Sequence, residues 1–353
     1  MSSRSVIPAP AGIQVFCRAK PKMDTGLRRY DGDGNAVQIR IVICTTLLFI
    51  LALLSALNSA SAKPLTIAYP STTWNTSLPL SMAREFNMFA SEGLEVAPVY
   101  IRGGPVVIAA MISGDVDLAI MAGTTAVTAI SRGADLVIVG GHTSQIDQVL
   151  IGAKGVTRLA DLKGKVIGVT GSGGVTEFAT VEALARNGLV RDRDYKLLYA
   201  GTSPTSVRAL ETGVVQAAPF SATETVLMER QGFPVIMEIG KALPEFPFVV
   251  VVAHRLRLRA KAAEITALLR VLKSSMTLIQ SDREKVVAAA TRKEPGSDIT
   301  VLRKSLSYSA DTYSILLTKK NIDALLYAAK ISPASAEKYF TDEFIVKANA
   351  GQR

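Results

Sequence analysis

From Leu65 to Ala253 short apolar runs alternate with amphipathic helical stretches, and this alternation limits the folds open to the chain. Residues 65–69, 94–100, 117–121 and 136–140 read as strands. Between them, residues 77–90, 105–113 and 123–131 read as helices, with Pro79 suited to a first turn and Gly114 and Gly133 as stops. After an extended run at 148–153 the rhythm resumes. Strands are expected at 166–169, 195–199, 215–218 and 235–237, and helices at 175–187, 203–212 and 221–231. A further extended apolar run covers 246–253. The pattern is that of an α/β protein in which helices cover both faces of a parallel sheet. Beyond it, 260–340 reads as helical, with a stripe of Leu268, Leu269, Leu272, Met276 and Ile279.

The stretch DLKGKVIGVTGSGGVTEFATVEALARNG (residues 161–188) carries the strongest chemical signal. Val166, Ile167 and Val169 suit a strand buried on both faces. Gly171, Ser172, Gly173 and Gly174 permit a sharp turn and close backbone approach. Phe178, Val181, Leu184 and Ala185 then fall on one helical face, which Asn187-Gly188 closes. A helix N-terminus presents free N–H groups and about half a positive charge. With hydroxyls from Ser172 and Thr176 the turn suits a small anion without any charged side chain. A tight strand-to-helix connection that binds nothing has the same sequence. The spacing lacks the Lys-Ser/Thr ending of a P-loop and the glycine spacing of a dinucleotide fold.

Before the first strand, Arg40 precedes an apolar run at 41–57, followed by Ala60-Ser61-Ala62. This is the order of a signal peptide, cut before Lys63. The competing reading is an uncleaved membrane anchor, against which the run falls short of the roughly 20 apolar residues of a spanning helix. The removed part holds seven of the 40 Lys/Arg and three of the 30 Asp/Glu, so the rest stays mildly basic. Its charges are dispersed, which speaks against nucleic acid. Both cysteines, Cys17 and Cys44, lie in that part, which leaves no disulfide and no thiol chemistry. His142 and His254 stand apart from other metal-ligand types, so neither a metal nor a cofactor is expected. His142 reads as a hydrogen-bonded structural residue.

An internal echo divides the chain. Residues 110–119 (AMISGDVDLA) and 209–218 (ALETGVVQAA) each read as a helix end, a glycine turn and a short strand. Two similar α/β lobes account for this.

Four motifs in order, LPLSMAREFNMFASEGLEV, GGPVVIAAMISGDVDLAI, LADLKGKVIGVTGSGG and ALETGVVQAAPF, extend the argument. With them the chain resembles the periplasmic solute-binding proteins of ABC importers. Within these it is similar to the branch for aliphatic sulfonates, taurine, nitrate and thiamine-precursor pyrimidines. The resemblance implies a type II periplasmic-binding-protein fold, two α/β lobes joined by a two-segment hinge. Lobe 1 would comprise 63–150 and 252–353, lobe 2 would comprise 151–251, and the crossings would lie near 148–153 and 248–253.

A ligand in such a fold sits beyond the carboxyl ends of the strands. The expected contacts are Ser71, Thr73, Trp74 and Asn75 after the first strand, Gly104, Thr124 and Thr125, then Ser172, Gly173, Gly174 and Thr176, and Ser203. Trp74, the only tryptophan, suits stacking on a ligand or packing locally. The implied function is capture of a small anionic, sulfonate- or nitrate-like solute by a periplasmic monomer that delivers it to ABC permease subunits. The alternatives are an enzyme on the same fold, related to thiamine-pyrimidine synthesis, or an extracytoplasmic sensor. The absence of cysteine beyond residue 62 and of a nucleophile–base pair argues against the enzyme.

Overall fold

The computed structural model describes residues 63–69, 74–201, 203–293, 296–332 and 335–350, and of Asn75 the backbone alone. The expected leader and the expected ligand residues Ser71 and Thr73 lie outside the described residues.

Among these residues, ten strands form two five-stranded sheets. The first contains β1 (Leu65–Tyr69), β2 (Val96–Tyr100), β3 (Leu118–Ala122), β4 (Leu136–Thr143) and β10 (Val249–His254), in the order β2-β1-β3-β10-β4. The second contains β5 (Gln148–Gly152), β6 (Lys165–Val169), β7 (Tyr195–Tyr199), β8 (Ala217–Ser221) and β9 (Val235–Glu238), in the order β7-β6-β8-β5-β9. Each sheet thus repeats one plan. Three strands run parallel, a fourth arrives from the other sheet, and an edge strand completes the set.

The arriving strands correct the expectation of parallel sheets. β10 is antiparallel to β3 and β4, and β5 is antiparallel to β8 and β9. A strand that enters from the neighbouring sheet starts at the end where the resident strands finish. The crossings also shift. The runs expected as hinge segments pair into sheets as β5 and β10. Exposed backbone groups on such apolar strands would otherwise lack partners. The links are instead residues 144–147 and 243–248.

Helices fill the connections. In the first sheet these are α1 (Trp74–Glu85), α2 (Met88–Ser91), α3 (Gly104–Ser113) and α4 (Gly123–Ser131). In the second they are α5 (Val175–Arg186), α6 (Ser203–Glu211), α7 (Ala222–Arg230) and α8 (Ile239–Ala242). α1 starts three residues earlier than expected, so Pro79 is its sixth residue rather than part of the first turn. The Pro79 carbonyl accepts from the buried Ser275 hydroxyl at 2.7 Å. The echo noted in sequence falls at equivalent points, where α3 leads into β3 and α6 into β8. Gly114 and Gly213 make the turns with φ of 88° and 73°, in the left-handed region that favours glycine.

The tail forms α9 (Ala262–Ser281), α10 (Arg283–Lys293), α11 (Ile299–Ser309), α12 (Lys319–Ala328) and α13 (Glu343–Ala350). The apolar stripe of α9 covers β4 so closely that a Cβ on Gly140 would lie 2.7 Å from Leu269 Cδ2. Val250, Val251 and Val252 of β10 are fully buried. Each such side chain contributes roughly 1.5–3 kcal/mol of transfer energy, which binds the arriving strand into the core. α11 packs on α7 of the second sheet, and Arg230 pairs with Asp298 at 2.5 Å. That part of the tail therefore touches the half of the chain from which the sequence reading separated it. Among the described residues no helix is long and apolar enough to cross a membrane.

Candidate functional site

The parallel strands of both sheets end at one cavity of about 450 Å³. From the first sheet, α1 contributes Trp74 and Thr76, and the end of β3 contributes Ile120, Met121 and Ala122. From the second come Thr170 after β6, Ser203 at the start of α6, Pro219 of β8, and Ser221, Thr223 and Glu224 at the start of α7. Asp147, Gln148, Phe248 and Val249, where the chain passes between the sheets, complete the wall. Four helices thus begin at or beside one space, because each follows a strand that points into it.

A second cavity of about 850 Å³ shares Ala122 with the first. Thr124, Thr125 and Arg132 of the α4 region line it, together with Gly173, Gly174, Val175 and Phe178, and with Lys330. The expected ligand residues therefore separate. Trp74 and Ser203 line the inner cavity, while Thr124, Thr125, Gly173 and Gly174 line the outer one. Asn75 lies in the first turn of α1. Gly104 lines neither cavity, and a Cβ there would meet Thr125 Cγ2 at 2.7 Å. Ser172 is exposed, and Thr176 is buried with its hydroxyl 3.5 Å from Gln148 Nε2.

The glycine turn departs from the sequence reading in one chemical respect. Gly173 adopts φ 72°, as its position requires, but its N–H donates to Glu177 Oε2 at 2.5 Å. The turn thus carries a charged side chain of its own. Glu177 Oε1 accepts from Arg191 Nη1 at 2.7 Å and from the Tyr199 hydroxyl at 3.0 Å. Partial burial opposes its ionisation, but the Gly173 N–H, Tyr199 and Arg191 together hold the carboxyl below its usual range. The start of α7 is built alike. The Ser221 N–H and hydroxyl both donate to Glu224 Oε2, at 3.0 and 2.8 Å. This is a capping box, with the acid three residues beyond the cap. In both turns a protein carboxylate takes a backbone N–H, and at Gly173 that is an N–H the sequence offered to a ligand anion.

His142 lines neither cavity. It is buried in β4, its Nδ1 is 3.0 Å from Thr143 Oγ1, and its ring meets Tyr313 edge-on at 6.1 Å. Burial lowers its pKa to about 3, so it is a neutral structural histidine. Among the described residues no group of three His, Cys, Asp or Glu is placed to hold a metal. The sequence reading missed Thr76, Asp147, Gln148, Thr170, Thr223, Glu224 and Phe248. Ser221-x-x-Glu224 was a legible cap signal. Nothing local placed Asp147 or Phe248 on a wall, since both lie in links between sheets.

No curated protein sequence matches the chain. Solved structures do. The periplasmic aliphatic sulphonate binding protein SsuA from Escherichia coli shares 20% identity over 80% of this chain and 93% of its own, with a TM-score of 0.66. The alkanesulfonate-binding protein SsuA from Xanthomonas axonopodis pv. citri, bound to MOPS, shares 20% over 80% and 100%, with a TM-score of 0.62. The periplasmic nitrate-binding protein NrtA from Synechocystis PCC 6803 shares 12% over 83% and 90%, with a TM-score of 0.63. At these identities the likeness is one of fold, and it makes the two linked sheets a periplasmic-binding-protein fold. The NMT1/THI5-like family model matches residues 74–285, which span the wall of the inner cavity and more than half of the sequence. The chain belongs to the NMT1/THI5-like family.

Proposed function

We propose that this protein captures a small solute in the inner cavity and hands it to the permease of an ABC importer. One observation carries the reading. Helix starts from both sheets open on a single cavity, and the two links between the sheets form part of its wall. Bending at residues 144–147 and 243–248 closes the sheets over whatever lies between, the hinge motion expected of a two-lobed binding protein. In this reading each sheet is the core of a lobe, 63–150 with 252–353 and 151–251. The chain's fold neighbours are named as binding proteins, and the protein acts as a carrier rather than a catalyst.

The fold neighbours include a sulfonate-binding and a nitrate-binding protein, so small anions belong in the first set of solutes to test. The starts of α1 and α6 carry no acidic residue in the first turn, and Trp74 and Ser203 there face the cavity. Export fits the leader-like residues 40–62, with the mature chain beginning at Lys63 and working as a periplasmic monomer.

A thermal-shift screen over small anions, amines and heterocycles tests the proposal. A solute at about a hundred times its Kd stabilises the protein by roughly 2.7 kcal/mol. If no solute in a broad library raises the melting temperature, capture is the wrong function.

A further inference from the structure

α11 touches both halves of the chain, by different means. It packs on α10, where Arg303 bonds to both carboxylate oxygens of Glu284 at 2.6 and 2.8 Å, and its Leu302 and Leu306 are buried. Towards the second sheet the contact is mostly ionic. Arg230 at the end of α7 pairs with both carboxylate oxygens of Asp298, and Lys304 Nζ lies 2.9 Å from Glu229 Oε2. Tyr308 packs beside them on the second sheet's cluster of Val149, Phe220 and Met228. Buried leucines hold α11 to the tail. The two ion pairs are partly exposed, and such pairs are individually weak, so this side is the one that can part.

The ion pairs and the inner cavity lie on opposite sides of the first link. Behind that link is a smaller cavity of about 210 Å³, lined by residues 145–149, by Gly240 and Lys241 of α8, and by Ser307 and Tyr308 of α11. It shares only Asp147 and Gln148 with the inner cavity, so the link is the partition between them. α7 reaches past the same partition. Its first turn lines the inner cavity with Thr223 and Glu224, and its last turn meets α11 with Glu229 and Arg230. Six helical residues set Arg230 about 9 Å beyond Glu224. The link itself has little room to retreat, since a Cβ on Gly240 would overlap the Ile146 carbonyl oxygen. It is therefore a fulcrum, and a rotation that narrows the inner cavity lifts the far end of α7 away from α11.

We infer that the α7–α11 contact is a clasp that opposes closure, so that weakening Arg230–Asp298 and Lys304–Glu229 narrows the inner cavity without touching its wall. This rests on the hinge motion at 144–147 and 243–248 and adds what restrains it. A contact made in the wide conformation and lost in the narrow one sets the balance between the two. Through that balance it also sets the apparent affinity for any solute that the narrow conformation holds.

The test reads the separation of the two sheets with no solute present. The mature protein has no cysteine beyond residue 62, so Val106→Cys at the start of α3 and Leu198→Cys near the end of β7 take spin labels uniquely. Both positions are exposed. Double electron–electron resonance then gives the distribution of distances between them. Arg230→Ala combined with Lys304→Ala should raise the ratio of short to long separations by about twofold to tenfold. Arg230→Glu sets two carboxylates face to face and should shift the distribution further. Asp298 stays in place because it also caps α11, accepting from the Thr300 and Val301 N–H groups at 2.9 and 3.1 Å. Melting temperatures should hold in both variants, because the altered side chains are partly exposed. A shift to longer separations in either variant overturns the inference and puts the contact on the closing side of the link. A distribution unchanged in both variants overturns it too. Solute capture is judged apart from this, by the library screen.

Discussion

Asp117 and Gln216 hold equivalent strands by the same pair of hydrogen bonds. The Asp117 N–H donates to the Thr66 carbonyl at 3.0 Å, and Asp117 Oδ2 accepts from the Thr66 N–H at 2.9 Å. The Gln216 N–H donates to the Val166 carbonyl at 2.8 Å, and Gln216 Oε1 accepts from the Val166 N–H at 3.0 Å. Each residue follows a glycine turn and precedes the third parallel strand of its sheet. Removing the acceptor strands a half-buried backbone N–H. Asp117→Ala and Gln216→Ala should each cost about 1–3 kcal/mol in urea denaturation. Asp117→Asn, which keeps an acceptor, should cost less. An unchanged midpoint in both alanine variants would mean that water replaces the lost partner.

His142 sets an acid limb of stability. Burial lowers its folded pKa to about 3, against the 6.5 expected when unfolded. The folded state therefore binds fewer protons, and the stabilisation is complete above pH 6.5. It is lost as pH falls from 6.5 towards 3, by up to about 1.4 kcal/mol per pH unit. Between about pH 6.5 and 5.5, above most of the carboxylate titration, His142→Phe should flatten this slope. Identical slopes in the variant and the parent protein would remove His142 as the cause.

Gly173 is constrained by its own backbone and not by crowding. Its φ is 72°, and a Cβ there would meet nothing within 4 Å. Gly173→Ala should thus destabilise by about 1–2 kcal/mol, the cost of the left-handed conformation. Glu177→Ala should loosen the same turn by freeing the Gly173 N–H. Faster hydrogen exchange at residues 171–175 in both variants is the expected signature. Exchange unaffected by Glu177→Ala would show that the carboxylate does not hold the turn.

Trp74 reports closure. A solute found by the screen should change its emission saturably, with a midpoint equal to the calorimetric Kd. Closure by a hinge takes microseconds to milliseconds, so the change should be complete on hand mixing. Trp74→Phe should abolish the signal. A fall in affinity beyond tenfold, about 1.4 kcal/mol, would assign a direct contact to the indole. Binding by calorimetry with constant emission in the parent protein would remove Trp74 from the site.

Local pattern was enough for most elements. The helix Gly123–Ser131 and the strand Tyr195–Tyr199 occupy the residues their periodicity indicates, and the 110–119 and 209–218 echo marks the same junction in both sheets. Periodicity, caps and glycine stops are properties of neighbouring residues, so a sequence displays them directly. The strand directions, by contrast, depend on where the chain re-enters a sheet. Gln148 to Gly152 and Val249 to His254 look like any apolar run, and only their return from the opposite sheet makes them antiparallel. The site divides in the same way. Glycines, hydroxyls and helix starts gave the sequence alone a set of loops at strand ends. Only the tertiary structure sorted Trp74 and Ser203 into one cavity and Thr124, Thr125, Gly173 and Gly174 into another. It also brought Asp147 from one link and Glu224 from α7 to a common wall, 77 positions apart in sequence. A carboxylate's partners depend on which elements converge around it, and no local window contains that information.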